Sequence, residues 1–190
     1  MKETFKLFYY REKERHHKKY MQGEGIDIGS GNDLLYSPYA KTIPFDYEDG
    51  DANYMEKYND NTFDFVYSSH CLEHMINVET ALHNWCRIIK PNGYLYMIVP
   101  DWTHYEKELW PSRFNPDHKH TFSTTVTKQE LNRNNHFHSK LDLEPILEKN
   151  NMITELNFLQ LYDYDHNLPK HIDQTLGKAV CQILIVAKKQ

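Results

Sequence analysis

A glycine turn directly after a short apolar strand constrains this chain more than any other feature. Residues Glu24 to Ile28 predict a strand, and Gly29 and Gly31 follow it within the segment GIDIGSG. Two glycines allow the backbone to approach a ligand without a Cβ in the way. In open α/β sheets, ligands bind beyond the carboxyl ends of the strands. The turn therefore predicts a ligand site at this end of the strand, although a tight turn without a ligand is the structural alternative.

An acidic residue after the second predicted strand has the spacing of a ribose-binding residue. Asp46 follows Asp27 by nineteen residues, and a carboxylate near that spacing holds ribose hydroxyls in dinucleotide-binding folds. The third glycine of the full dinucleotide fingerprint would stand at position 34, where this chain has Leu34. The pattern therefore disfavours a bound pyrophosphate and favours a nucleoside ligand that lacks phosphate.

Apolar periodicity alternates between strand and helix along the chain. Residues Phe63 to Ser69 read as a strand buried on both faces. Apolar residues from Val78 to Ile89 recur at helical spacing behind a predicted N-cap, Asn77. This alternation predicts a mainly parallel sheet with helices on both faces. Further strands are predicted at Lys41–Phe45, Tyr94–Val99, Ile153–Tyr162 and Ala179–Ala187, and further helices within residues 1–22 and at Leu141–Lys149.

Composition limits the classes of partner and compartment. The chain has 190 residues, 39% of them hydrophobic, which suits one globular domain. The formal net charge is −5, and the one basic run, Arg11 to Lys19, reads as a solvated helix face with His16 and His17 at the surface. Nucleic acid is therefore a disfavoured partner. Three scattered cysteines and the lack of a long apolar run predict a cytoplasmic protein without membrane insertion.

Four segments in order carry a resemblance to a known superfamily. GIDIGSGN, GDA, FDFVYSSHCLEH and IIKPNGYLYMIVPD together resemble the class I S-adenosylmethionine-dependent methyltransferases, most closely a small-molecule branch with an S-S-H-x-L-E-H segment. The resemblance covers about Gly23 to Asp101 and thins beyond that to residues 117–122. It implies a Rossmann-like, mainly parallel sheet of about seven strands with an antiparallel last strand. It also implies S-adenosylmethionine as cofactor and S-adenosylhomocysteine as product.

The same resemblance implies a role for each residue that matches a motif. Only four residues separate Asp46 from Asp51, so the usual helix between the second and third strands must be missing or reduced. The implied cofactor residues are Asp27, Gly29, Ser30 and Gly31 at the methionine end, Asp46 at the ribose, Asp51 and Ala52 at the adenine, and Ser69 and His70 beside the sulfonium.

Candidate catalytic residues follow the later strands. Asp101 directly follows a predicted strand and is either an acceptor of a substrate proton or an N-cap. His118 and His120 form an H-x-H pair behind Asp117, whose carboxylate could orient a ring. His70 is the fourth candidate. Solvated loop histidines, or a divalent metal, are the alternatives for the pair.

The predicted activity is methyl transfer to a small polar acceptor, with O-methylation favoured over N-methylation. A hydroxyl of a sugar or phosphorylated metabolite in glycan, surface-polysaccharide or capsular polysaccharide synthesis fits best. The Asn-Pro-Pro-Tyr type of segment used on amino groups is absent, and Ser68 to Cys71 stand in its place. Residues 1–190 are expected to form one domain, with a brace at 1–22 and an acceptor-side loop or lid at 101–140.

Two rival functions stay open. His70, Glu73 and His74 spell H-x-x-E-H, a zinc-hydrolase motif, although no metal ligand is predicted here. The chain could also be a non-catalytic cofactor-binding subunit. Either a homodimer or a partner subunit could then complete the short acceptor region.

Overall fold

The predicted strands and helices form an α/β arrangement whose short helices flank one large sheet. The computed structural model describes residues 3–125, 136–162, 169, 171–172 and 180–190. None of the described helices is long and apolar enough to cross a membrane. The helices are α1 (Glu3–Lys6), α2 (Phe8–Lys13), α3 (His16–Tyr20), α4 (Val78–Arg87) and α5 (Lys140–Lys149). The strands are β1 (Gly23–Ile28), β2 (Ala40–Phe45), β3 (Phe63–Ser69), β4 (Ile89–Pro100), β5 (Thr121–Ser123), β6 (Phe137–Ser139), β7 (Met152–Tyr162) and β8 (Cys181–Lys189).

The sheet topology confirms the predicted fold class. Six strands pair in the order β2-β1-β3-β4-β8-β7, and β5 and β6 form a separate parallel pair. Strands β1 to β4 run parallel to one another, whereas β8 is antiparallel to both β4 and β7. The described sheet thus has six strands where about seven were predicted. Residues 46–62, all of them described, contain one 3-10 helix, Tyr47–Asp49, and turns in place of a further helix and strand. The close spacing of Asp46 and Asp51 explains this reduction.

The two faces of the sheet bury alternate residues of the same strands. On β3, Val66 packs on the side of α4 and α5, whereas Phe65 and Tyr67 pack on the side of the N-terminal helices. All three side chains are fully buried. Because side chains alternate along a strand, a strand covered on both faces is apolar throughout. The apolar run from Phe63 to Ser69 is therefore explained by helices on both faces of the sheet.

Helix α4 begins at the predicted cap and positions a loop of the site. The side chain of Asn77 accepts a hydrogen bond from the Thr80 amide at 2.8 Å, which satisfies one free donor of the first turn. The buried Trp85 on α4 donates its indole N–H to the carbonyl of Ala52 at 2.8 Å. This bond fixes the loop after β2 against the helix. Helix α4 ends at Arg87, and the segment Pro91–Gly93 lies within β4.

The N-terminal brace buries part of the basic run, so the surface assignment was wrong for His16 and His17. Both histidines are at most 3% exposed. Arg11 is also buried; its guanidinium donates to the Tyr67 hydroxyl at 3.2 Å and to the Thr4 carbonyl at 2.7 Å. Burial lowers the pKa of His16 to about 4, so this ring is neutral when it pairs with the sheet. The exposed cations of the run are Lys13, Arg15, Lys18 and Lys19.

Candidate cofactor and acceptor site

A cavity of about 900 Å³ lies at the carboxyl ends of β1, β2 and β3. Its volume is within the roughly 300–1,000 Å³ of small-molecule sites. Its walls are both polar and apolar. The lining residues are Gly29, Phe45, Asp46, Tyr47, Glu48, Gly50, Asp51, Ala52, Asn53, His70, Cys71, His74, Met75, Ile76 and Lys119.

Gly29 is required by the close approach of two chain segments. Its φ is +78°, and a Cβ at this position would lie 2.6 Å from Cβ of Cys71. Its amide donates to the Phe45 carbonyl at 2.8 Å, which joins the ends of β1 and β2. Gly31 also has a positive φ, +50°, but a Cβ there would meet only open space and Asp46 Oδ2 at 3.8 Å. The predicted turn is therefore present, and its backbone borders the cavity.

Asp46 lines the cavity and ties the ends of two strands together. Its Oδ2 accepts the amide of Gly31 at 2.7 Å, and its Oδ1 accepts the amide of Tyr47 at 2.7 Å. Its own amide donates to Asp49 Oδ2 at 3.1 Å, completing a capping box at the 3-10 helix. The carboxylate is thus fixed at the cavity rim, where it can accept from hydroxyl groups of a ligand.

Polar atoms lie buried behind the glycine turn. Asp27 is 1% exposed; its Oδ2 accepts the Leu35 amide at 2.7 Å. Within the described residues, neither Asp27 Oδ1 nor Ser30 Oγ has a hydrogen-bond partner. Burial raises the pKa of Asp27 to about 7. Since buried polar atoms in proteins are almost always paired, these two oxygens fit a turn that receives the polar end of a ligand.

The remaining predicted cofactor residues divide between the wall and the interior. Asp51 and Ala52 line the cavity, and Asp51 Oδ1 accepts the Asn53 amide at 2.8 Å. Ser69 is 7% exposed at the end of β3 and, with Asp27, Ser30 and Gly31, is outside the described cavity lining.

His70 enters the cavity wall in a strained backbone conformation. Its φ is +54°, in the left-handed region that a non-glycine residue rarely adopts, and such strain concentrates at functional sites. Its amide donates to the Ile98 carbonyl at 3.0 Å. Burial lowers the pKa of the ring, but the carboxylates of Glu3 and Glu73 raise it, and the net direction is upward.

The geometry of the H-x-x-E-H segment differs from the helical chelate that its zinc-hydrolase interpretation requires. His70 is left-handed and precedes the short 3-10 helix Leu72–His74, so His70 and His74 are not one turn apart on an α-helix. Glu73 is fully buried between them, with Oε1 3.4 Å from His70 Nδ1 and 3.9 Å from His74 Nε2.

Asp101 and His120 are each held by hydrogen bonds within the protein. Asp101 is 1% exposed, and its Oδ1 accepts both the amide and the ring N–H of His104, at 2.8 and 2.9 Å. His120 Nε2 lies 3.0 Å from the Met75 carbonyl. None of Asp101, His118 and His120 is among the described residues that line the cavity.

Glu106 orients His118, whereas Asp117 was predicted to do so. Glu106 Oε1 lies 2.6 Å from His118 Nδ1. Asp117 instead offers its backbone carbonyl to His74 Nδ1 at 3.3 Å. Sequence reasoning also missed Lys119, which lines the cavity and donates to the His74 carbonyl at 2.7 Å. Only the tertiary path of the irregular segment after β4 brings these residues to the site, so no local pattern could have identified them.

Comparisons with known proteins agree with this geometry. Residues 20–97 match a family described as a methyltransferase domain. The YcgJ protein of Bacillus subtilis has a similar structure, with a TM-score of 0.62 at 15% identity over 95% of this chain and 99% of that one. A S-adenosylmethionine-dependent methyltransferase of Aquifex aeolicus gives 0.58 at 14% identity, over 100% and 94% of the two chains. A chain from the complex of the Haloferax volcanii Trm112 methyltransferase activator gives 0.50 at 12% identity, over 98% and 92%. No curated protein sequence matches.

The fold is that of the class I methyltransferases, and the cavity lies at its strand ends. Residues 20–97 of this chain match the methyltransferase domain family, and the fold around them is shared with S-adenosylmethionine-dependent methyltransferases of known structure. The cofactor that this domain match and this fold imply is S-adenosylmethionine. The residues present fit that group, because two buried oxygens beside the glycine turn lack partners among the described residues, and the rim carries a fixed carboxylate.

Proposed function

We propose that the cofactor lies across the carboxyl ends of β1, β2 and β3. Asp46 accepts hydrogen bonds from the ribose hydroxyls. Asp51 and Ala52 face the adenine, and the position of both in the cavity wall supports this assignment. The methionine end lies against the turn formed by Asp27, Gly29, Ser30 and Gly31. There Asp27 Oδ1 and Ser30 Oγ, which have no partner within the described part of the chain, would receive its polar groups. Ser69 and His70, at the end of β3, lie beside the sulfur.

We further propose that the acceptor is a hydroxyl of a small anionic metabolite, such as a phosphorylated sugar. The observation that carries this proposal is the presence of an imidazole, His70, and an ammonium group, Lys119, in the wall of the same cavity as Gly29 and Asp46. A hydroxyl needs a proton acceptor before it attacks, which an imidazole supplies. A lysine in the wall offers a point charge to a phosphate or carboxylate.

The chemistry requires little from the protein beyond alignment and proton removal. When bound, the cofactor supplies a methyl group that is activated by positive sulfur. His70 accepts the hydroxyl proton, and the apolar wall at Phe45, Met75 and Ile76 excludes water. Alignment of reacting groups can lower a barrier by roughly 7–11 kcal/mol in the best cases, and a positioned base contributes about 10²–10⁴-fold. We assign Asp101, His118 and His120 to the acceptor side of the site, outside the cavity wall that contains His70.

The biological setting and layout are proposed on more general grounds. Glycan or surface-polysaccharide synthesis follows from the family resemblance alone, which is an analogy at the level of the fold. All three cysteines are buried, and Cys71 and Cys86 are free thiols, which supports a reducing, cytoplasmic location. Residues 3–22 brace one face of the sheet, and we assign the acceptor side of a single domain to residues 101–125 and 136–140; residues 126–135 of the predicted lid lie outside the described residues.

A product assay with labelled cofactor tests the proposal. Purified protein is incubated with methyl-labelled S-adenosylmethionine and a panel of nucleotide sugars, sugar phosphates and matched amino sugars. Mass spectrometry is expected to find the label on oxygen. His70→Gln should lower turnover by about 10²–10⁴-fold and leave the affinity for S-adenosylhomocysteine within threefold. His83→Gln, at an exposed position of α4, is the matched control. Label found only on nitrogen, or full turnover by His70→Gln, would overturn the proposal.

A further inference from the structure

The carboxylate of Glu73 is buried and is surrounded by imidazole nitrogens. Glu73 is fully buried, and neither of its oxygens has a hydrogen-bond partner among the described residues. Its Oε1 lies 3.4 Å from His70 Nδ1, 3.8 Å from His118 Nε2 and 3.9 Å from His74 Nε2. A buried carboxylate is costly unless it is paired or bound to a metal. The surroundings of Glu73 therefore call for a cation.

The other ring nitrogen of two of these histidines is already held by an oxygen. His118 Nδ1 lies 2.6 Å from Glu106 Oε1, and His74 Nδ1 lies 3.3 Å from the Asp117 carbonyl. A carboxylate and a carbonyl can only accept, so Nδ1 carries the proton in both rings. The Nε2 atom of each neutral ring is then an electron-pair donor, and both donors face Glu73. Metal-binding histidines in proteins are oriented in this way by a carboxylate or carbonyl partner.

We propose that Glu73, His74 and His118 bind one divalent transition-metal ion. One ligand atom from each of the three lies within 4.8 Å of the others. Metal–ligand distances of about 2.0–2.2 Å place the atoms of a tetrahedral site roughly 3.4 Å apart, so the distances around Glu73 Oε1 need to contract by only a few tenths of an ångström. Two imidazoles and one carboxylate suit zinc, cobalt or ferrous iron better than magnesium or calcium, which prefer oxygen ligands.

The position of the ion connects it with the acceptor. His74 lines the cavity that also contains Gly29 and Asp46, and its side chain is 30% exposed. The ion therefore has a path for entry and room for a ligand on the cavity side. A bound metal lowers the pKa of an oxygen ligand. In this step, which rests on the proposed function, the acceptor oxygen bonds to the methyl carbon, the carbon–sulfur electron pair goes to sulfur, and the hydroxyl proton goes to His70.

Metal titration of the full chain tests the site without measuring activity. The protein is treated with a chelator, dialysed, and titrated with Co²⁺, whose visible absorption reports coordination by nitrogen and oxygen, and with Zn²⁺ by calorimetry. One equivalent of each ion is expected to bind. Glu73→Gln and His118→Ala should each weaken binding by at least a hundredfold. Glu106→Gln, which replaces the carboxylate beside His118 Nδ1 by a neutral amide, should weaken it by about 10–100-fold.

Two variants keep the result interpretable. His74→Ala changes the most exposed of the three ligands, so it should fold even if Glu73→Gln does not, and it should also weaken binding by at least tenfold. His83→Ala removes an exposed histidine on α4, bonded at 2.7 Å to Asn150 Oδ1, and should bind as the wild type does. Wild-type protein that binds neither ion more tightly than micromolar, or His74→Ala that binds as the wild type does, overturns the site. Metal binding without methyl transfer to any hydroxyl would contradict only the proposed function.

Discussion

Replacing Asp46 with alanine should weaken cofactor binding more than any other single change at the cavity rim. The carboxylate accepts two backbone amides at 2.7 Å, and the substitution removes both bonds. It also removes the acceptor for the ribose hydroxyls. Hydrogen bonds to a charged group contribute about 1.5–3 kcal/mol each. Because this rim is partly exposed, we expect the bonds from the ribose hydroxyls to Asp46 to contribute about 1–3 kcal/mol to the binding free energy. The affinity for S-adenosylhomocysteine should therefore fall roughly 5–150-fold.

Isothermal titration calorimetry with S-adenosylhomocysteine measures this loss directly. Asp64 is the matched control, because its carboxylate also accepts a backbone amide, that of Glu24 at 2.8 Å. This bond lies at the amino ends of β1 and β3, opposite the end that carries the cavity. Asp64→Ala should lower stability without changing the affinity by more than twofold. Asp46→Asn, which keeps one acceptor oxygen, should give an intermediate affinity. Equal affinities of wild type and Asp46→Ala would refute the ribose assignment.

Two further changes test the glycine turn and the buried carboxyl behind it. Gly29→Ala places a Cβ 2.6 Å from Cys71 Cβ at a positive φ. It should destabilise the fold by roughly 2 kcal/mol and lower the melting temperature by about 4–8 °C. Gly31→Ala, whose Cβ meets open space, should lower the melting temperature less, and equal losses in the two variants would contradict the close approach at Gly29. The pKa of Asp27 is raised by burial to about 7, so the folded state holds its proton more tightly than the unfolded chain, whose pKa is about 3.9. The free energy of unfolding should then fall by up to about 4 kcal/mol as pH rises from about 4 to about 7. In urea unfolding, Asp27→Asn should show little of this loss. If both proteins have the same pH dependence, Asp27 does not cause it.

The sheet could be predicted from the sequence because its signals are local. An apolar run such as Phe63–Ser69 indicates a strand that is buried on both faces of the sheet. The strand in the structure begins and ends at the predicted residues. The cap at Asn77 and the reduced connection after Asp46 were likewise predictable from side-chain type and spacing. The glycine turn followed from the same kind of pattern, since only a residue without a Cβ fits where Gly29 meets Cys71.

The acceptor side could not be predicted in the same way, because its contacts join distant residues. His118 meets Glu73 and Glu106 through the irregular path after β4. Arg11 and His16 can be buried because tyrosine hydroxyls of β3 and β4 form hydrogen bonds with them. These tyrosines are far from the basic run in the sequence. His120 Nδ1 lies 3.0 Å from His138 Nε2, a contact between residues eighteen positions apart in the chain.

A crystal structure of the protein with S-adenosylhomocysteine tests the central claim most directly. We expect density for the nucleoside in the cavity at the strand ends. Both ribose hydroxyls should lie within hydrogen-bond distance of Asp46, and the sulfur should lie beside Gly29 and His70. Density for the ligand at any other surface, or a cavity filled by the protein's own side chains in crystals grown at saturating ligand, would contradict it.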